Sequence, residues 1–366
     1  MKKAVLFIFV LLVLGAAAAG GYFWVREQRL REFTRTSFGD PSTRVVEIPQ
    51  GTGPHALATL LASERVVSDA DEFYQLVRHD NAGPKLKAGE YDFKGALTPA
   101  QVLARIVAGQ VKTYHFTIPE GLRVDEILPM LASSDLKLDG VKLESLSRDP
   151  AFLRKANVPA GSLEGFLFPD TYTFTRGYTE ESVLLKMVSR TFEEYRKADL
   201  TRKAGVTLST LEAITLASIV EKETAATEER PRISCVFHNR LRRDMRLDTD
   251  PTVLYAMMLI RGHFIKNLTR QDLETPHPYN TYKNKGLPPG PIANPGAAAI
   301  QAALNPIDCD DLFFVSRNDG THVFCPDLRC HEAAVQKWQV DFFHGGSHPA
   351  ATPTRAAATH GGHRRK

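Results

Sequence analysis

Only four of the 366 residues are cysteine. That is too few for a disulfide scaffold, so the fold must rest on apolar cores. Net charge is also scarce: 46 basic residues against 42 acidic ones leave +4, and much of the excess sits at the ends, in Lys2, Lys3, Arg364, Arg365 and Lys366. So mild a surplus has no electrostatic footprint for nucleic acid, and no such partner is expected. Global disorder is excluded by 43% hydrophobic and 24% charged residues, a balance that allows two or three globular units with proper cores.

What is present begins with one long apolar run. Ala4 to Val25 holds no charge, and at about 1.5 Å per helical residue it covers the roughly 30 Å hydrocarbon thickness of a bilayer. Lys2 and Lys3 precede it, and Tyr22, Phe23 and Trp24 close it as an interfacial aromatic belt does. The run reads as a single-pass anchor with residues 1–25 comprising a cytoplasmic N-terminus and the span. A cleaved signal peptide is the rival, because Ala17, Ala18 and Ala19 resemble a cleavage site. Arg26, Arg29, Arg31 and Arg35 follow the run, but a large domain translocates despite such charges. On either reading the body lies outside the cytoplasm, where disulfides persist.

Residues 26–43 read as a juxtamembrane linker. From Arg44 the pattern is strand, Pro/Gly turn, helix, and it recurs: "IPQGTGPHALATLLAS" from Ile48 matches "IPEGLRVDEILPMLAS" from Ile118 in length and at six identical positions. "LKAGEYDF" and "LTPAQVLARIVAGQ" supply a strand and an amphipathic helix between the two copies. Residues 44–112 therefore form a small α+β module, a spacer or a glycan-binding unit. Residues 113–344 form a mostly helical α+β domain with expected helices near 179–198, 208–224, 230–244 and 251–260. Two short strands, around "LFFVS" and "HVFCP", precede a last helix. Residues 345–366 read as a disordered basic tail.

Cys235 lies among apolar residues of an expected helix and reads as a buried free thiol. Cys309, Cys325 and Cys330 cluster near the end, with a Cys325–Cys330 bridge expected. A zinc site with His322 or His331 is the alternative, but the spacing matches no standard pattern, and neither metal nor cofactor is expected.

The stretch "LASIVEKET" ends an apolar helix in Glu221 and Glu223. At about 100° per residue the two point roughly 200° apart, and the wheel of Leu208, Leu211, Ile214, Leu216, Ile219 and Val220 leans toward Glu223. A carboxyl held against apolar surface keeps its proton nearer to neutral pH, as a general acid must. The competing reading pairs Glu223 with Arg230, Arg232 or Arg240. Tyr279, Asn280, Thr281 and Tyr282 offer aromatic faces, an amide and hydroxyls for a sugar. Asn239 and Arg240 could orient the carboxyl or meet substrate carboxylates, and Asp248 and Asp250 are candidate second acids, Asp250 also being a helix-start residue before Pro251.

These motifs, "EGFLFPDTY" at Glu164, "VEKET" at Val220, "RLDTDPTVLYA" at Arg246, "DLETPHPYNTY" at Asp272 and "GLPPGPIANPG" at Gly286, together resemble the YceG-like (MltG) family of membrane-anchored endolytic murein transglycosylases. The resemblance runs from the anchor to about Phe343. It implies that Glu223 is catalytic, that residues 44–112 are LysM-like, that the substrate is the peptidoglycan glycan strand, and that peptidoglycan polymerases are partners. It also implies residence in the bacterial inner membrane with the catalytic domain in the periplasm. A conventional hydrolytic muramidase and a noncatalytic wall-binding protein are the alternatives.

Overall fold

Chain order explains much of the architecture. A computed structural model describes residues 2–342, so the expected tail at 345–366 falls outside the described residues. The elements are α1 (Lys2–Arg35), β1 (Thr43–Ile48), α2 (Pro54–Ser63), α3 (Ala70–His79), β2 (Gly89–Lys94), α4 (Pro99–Ala108), β3 (Thr113–Thr117), α5 (Val124–Ala132), α6 (Gly140–Arg148), α7 (Pro150–Lys155), β4 (Thr171–Thr175), α8 (Glu180–Leu200), α9 (Thr210–Glu223), α10 (Arg230–Arg242), α11 (Asp250–Arg261), α12 (Arg270–Glu274), α13 (Ala297–Leu304), β5 (Phe313–Ser316), β6 (His322–Cys325) and α14 (Leu328–Val335). Helices and strands are mixed, and both copies of the "IP-G" repeat do form a strand followed by a helix, β1–α2 and β3–α5.

The chain divides into two compact units, and it crosses between them more than once. The first holds residues up to Pro119 together with 125–147 and 170–186. In it α1, long and apolar enough to cross a membrane by length and composition, continues as one helix through the stretch that reads as a linker, as far as Arg35. Two features keep those extra turns helical: Glu27 and Arg31 pair at i,i+4 (3.0 Å), and Leu30 and Phe33 pack against the core of Leu57, Leu61, Phe73, Val77, Tyr91 and Ile106. β1 and β2 are antiparallel, Thr43 opposite Lys94, with α2 and α3 between them in sequence. A Thr98–Gln101 capping box starts α4, and Gly109 in the left-handed region stops it. β3 pairs with β4, Thr113 opposite Thr175, a pairing across 62 positions that no local pattern announces.

The second unit, residues 120–124, 148–169 and 187 onward, is built around α9. A Ser209–Glu212 capping box fixes its start, and the eight residues Ala213–Val220 are all buried. A helix apolar on every side must be enclosed on every side, and α10, α11 and α13 enclose it. The Pro/Gly loop before α13 seals it further. The Ile292 amide donates to Ser218 Oγ (3.0 Å), and the Leu167 amide donates to Asn294 Oδ1 (2.7 Å). Gly165 (φ +85°) explains its own motif: an added Cβ would lie 2.4 Å from Pro291, so only glycine admits the contact.

The cysteines correct one expectation. Cys235 is not a free thiol; it is bonded to Cys309, tying α10 to the segment before β5, while Cys325 is bonded to Cys330 as expected. The first link spans 74 positions and only the packing of α10 brings its ends together. With both bonds formed, no thiolate among the four is left for zinc. Loop-closure entropy makes the long link worth more than the short one, which spans 5 positions, by about 2 kcal/mol. The Cys235→Ser/Cys309→Ser pair should therefore lose more unfolding free energy than Cys325→Ser/Cys330→Ser by about that amount. Guanidinium titration of the two double variants measures the difference.

Candidate active site

Glu223 is the last residue of α9, and Thr224 beyond it turns to extended backbone. The C-terminus of a helix is its negative end, an unfavourable place for a carboxylate. The side chain is half-buried, and its Oε1 accepts a hydrogen bond from Thr249 Oγ1. Loss of water pushes the Glu223 pKa up to about 7; the Asp250 charge adds to the rise, and the Thr249 bond and the Arg240 charge oppose it. A carboxylic acid that still carries its proton near neutrality is the reagent that general acid catalysis needs.

Glu221 takes the pairing role the sequence had left open for its neighbour. Its Oε1 accepts from Arg230 (2.8 Å) with both side chains 5% exposed, and its Oε2 accepts from the Gly296 amide (3.0 Å). Burial raises the Glu221 pKa even so, the Gly296 and Arg230 contacts only partly offsetting it. The two glutamates face different surroundings, as the helical wheel requires.

Glu223 opens on a cavity of about 450 Å³. Its lining combines Arg240, Asp248, Asp250 and Tyr282 with Phe313, Phe314, Ser316, His322, Leu328 and His331. Tyr282 donates its hydroxyl to Asp250 Oδ1 (2.7 Å), and burial, with that carboxylate beside it, raises the phenol pKa. Asp248 holds a left-handed backbone (φ +44°), a conformation costing about 1–3 kcal/mol that concentrates at functional sites. Its carboxylate lies 3.6 Å from Arg240 and 3.5 Å from Arg246. Arg240 is 8% exposed and donates to the carbonyls of Leu312 (2.6 Å) and Leu247 (2.8 Å). It thus serves mainly to bind the walls together, and its buried charge holds Glu223 toward ionisation.

Four of the sequence candidates are not on this cavity. Asn239 donates to the carbonyls of Cys309 (3.0 Å) and Asp311 (2.8 Å) and lines a different pocket. Asn280, fully buried, donates to Leu273 and Thr275 and accepts from the Tyr282 amide (2.9 Å), so it shapes the turn that presents Tyr282. Tyr279 packs on Tyr255 and His277. Thr281 accepts from the Thr249 amide (3.1 Å) and shares a hydroxyl contact with Thr252 (2.8 Å), holding the threonine that holds Glu223. Thr249 itself and the aromatic wall escaped the sequence reading. The wall comes from β5, β6 and α14, whose alternating "LFFVS" and "HVFCP" patterns identify strands without saying which face meets Glu223. His331 stacks on Phe313 (4.9 Å), and Arg240 lies over the same ring (5.1 Å).

The family model described as YceG-like matches residues 46–337. The chain belongs to the YceG-like family. An endolytic murein transglycosylase of Bacillus subtilis is 32% identical over 318 residues, which cover 82% of this chain and 86% of that protein. One from Streptococcus pneumoniae serotype 2 is 30% identical over 343 residues, 84% of this chain but 60% of that longer protein. The crystal structure of a yceG-like protein from Listeria monocytogenes superposes with a TM-score of 0.53 at 33% identity, covering 80% of this chain and 99% of that one. The five motifs of this YceG-like chain all fall inside the matched span.

Two outcomes are expected from this geometry. Removing Arg230 strands the Glu221 carboxyl in the interior, so Arg230→Met should lower unfolding stability by about 3–5 kcal/mol, read by urea titration. For Glu223 the folded pKa of about 7 lies above the ordinary 4.5. Its contribution to stability is therefore full below pH 4.5 and is lost as pH rises through 7. Glu223→Gln should be neutral near pH 4.5 and stabilising by up to about 3 kcal/mol at pH 8, as thermal melts at the two pH values will show.

Proposed function

We propose that this chain is an endolytic murein transglycosylase, cleaving the bond between N-acetylmuramic acid and N-acetylglucosamine in peptidoglycan strands with Glu223 as its acid and base. The single observation carrying this reading is a carboxyl lining an aromatic-walled cavity with its pKa raised to about 7, in a chain 32% identical to a protein named for that activity. Glu223 gives its proton to the O4 of the leaving N-acetylglucosamine as the C1–O4 bond breaks and C1 gains oxocarbenium character. The muramic acid's own C6 hydroxyl then bonds to C1, and its proton goes to the Glu223 carboxylate, which regenerates the acid. No water is consumed, and the product ends in 1,6-anhydro-muramic acid. Asp250, lining the same cavity, supplies negative charge where the sugar becomes positive.

The location follows the same reading. α1 spans the inner membrane through residues 4–25, the remainder lies in the periplasm, and the two disulfides fit that oxidising compartment. Residues 44–112 act as a LysM-like glycan-binding module, 113–344 as the catalytic portion. Cleavage close to the membrane acts on nascent strands, which makes the peptidoglycan polymerases natural partners.

The test uses the full-length chain in detergent on peptidoglycan strands. Glu223→Gln keeps shape and hydrogen-bonding reach but has no proton to transfer, so turnover should fall by about 10²- to 10⁴-fold. Mass spectrometry of the wild-type digest should show anhydro ends. Reducing muramic ends would make the enzyme a hydrolase with Asp248 or Asp250 as its second carboxylate, and undiminished cleavage by Glu223→Gln would sink the assignment.

A further inference from the structure

One group on the cavity wall is unused by the chemistry above. His322, the first residue of β6, has its side chain 10% exposed. Glu229, at the end of a short 3₁₀ turn before α10, grips it twice: Oε2 meets the ring Nδ1 at 2.7 Å, and Oε1 accepts from the His322 backbone amide at 3.0 Å. Phe314 stands edge-on to the ring at 5.4 Å, with Phe324 on its flank at 6.3 Å. The imidazole is therefore locked in position and in rotation. A carboxylate oxygen accepts hydrogen bonds, so this contact selects the tautomer with its proton on Nδ1, in which Nε2 is an acceptor. Among the described residues Nε2 has no hydrogen-bond partner, and the ring lines the cavity that holds Glu223.

We propose that His322 is a substrate-binding residue whose Nε2, oriented by Glu229, accepts a hydrogen bond from a hydroxyl or acetamido N–H of the glycan bound beside Glu223. The amino sugars of the strand offer both kinds of donor. A rigid acceptor set among aromatic rings is the arrangement that fixes a sugar's orientation, since the rings supply area and the nitrogen supplies direction. Glu229 is a positioning residue in this scheme: it touches the histidine and not the sugar. The proposal rests on the reading of the Glu223 cavity as the glycan-cleaving site.

Two substitutions of similar size separate binding from mere support. In His322→Asn the amide nitrogen stands near Nδ1, so the Glu229 contact is kept and the acceptor at Nε2 is lost. In His322→Gln the amide reaches the Nε2 position, and the Glu229 contact is lost. Both are made in the full-length Glu223→Gln protein, and binding to soluble uncrosslinked peptidoglycan strands is measured. His322→Asn should bind about three- to tenfold more weakly than the parent, the worth of one hydrogen bond, with an unchanged melting temperature. His322→Gln should recover part of the loss. With the catalytic glutamate present, His322→Asn should raise KM more than it lowers kcat. Equal binding by His322→Asn, or a reversed order of the two variants, overturns the proposal. Should His322→Asn fail to fold, ¹⁵N-histidine spectra of the Glu223→Gln protein decide: an imidazole nitrogen shifts when strands are added, and the absence of any shift overturns it. A parent that binds strands while His322→Asn matches it refutes this inference alone, whereas a wild-type protein that cleaves nothing removes the site reading as well.

Discussion

The hydrogen bond from Thr249 to Glu223 closes the site, and much of the second unit can be described by what makes that bond dependable. α9 must deliver its last residue to a fixed point, which its enclosure on all sides ensures. Thr249 must meet it there, which the contacts to Thr281 and Thr252 ensure. Thr281 in turn sits in a turn organised by the buried amide of Asn280. Three motifs that are far apart in sequence, "VEKET", "DTDPT" and "YNTY", thereby become one hydrogen-bonded assembly. A threonine hydroxyl can donate to a carboxylate and can also accept from a carboxylic acid, so the same partner serves both protonation states that the proposed cycle passes through.

The site breaks local rules where chemistry calls for it. A carboxylate ends a helix, a non-glycine residue two positions before that helix's neighbour sits at positive φ, and a glutamate is held where water is scarce. Each is unfavourable alone. They persist because well-satisfied structure surrounds them: α9 begins with a reciprocal capping box, Glu221 is paired with Arg230, and Arg240 links two backbone segments, at Arg246–Leu247 and at Leu312, through its guanidinium. Natural proteins concentrate such departures at functional positions.

Local signals in the sequence reached far into this molecule. The apolar run, the capping residues and the Pro/Gly punctuation placed α9, α10, α11 and the final hairpin close to where they are, because those features depend on neighbours in the chain. The wheel gave Glu223 and Glu221 different directions for the same reason, and the two do meet different surroundings. What escaped was long-range. β3 finds β4 across an intervening stretch that itself belongs partly to each unit, and Cys235 finds Cys309 only because α10 packs where it does. The polar loop residues Tyr279 and Asn280 carried sugar-binding chemistry in composition but are spent on the loop's own shape, whereas Phe313 and Phe314 look like ordinary strand residues, and His322 like a candidate zinc ligand, until the hairpin meets the cavity.

The length of the first helix has a mechanical corollary. At about 1.5 Å per residue, its 34 residues amount to about 50 Å, well beyond a bilayer's roughly 30 Å of hydrocarbon. The surplus turns are not a free leash, because Leu30 and Phe33 are seated in the core of the first unit and Arg26 bonds Gln75 of α3 (2.6 Å). On the proposed anchoring of residues 4–25, that unit would ride at a set altitude, like a float on a short mast, free to drift and spin with the lipid beneath it but not to swing away from it.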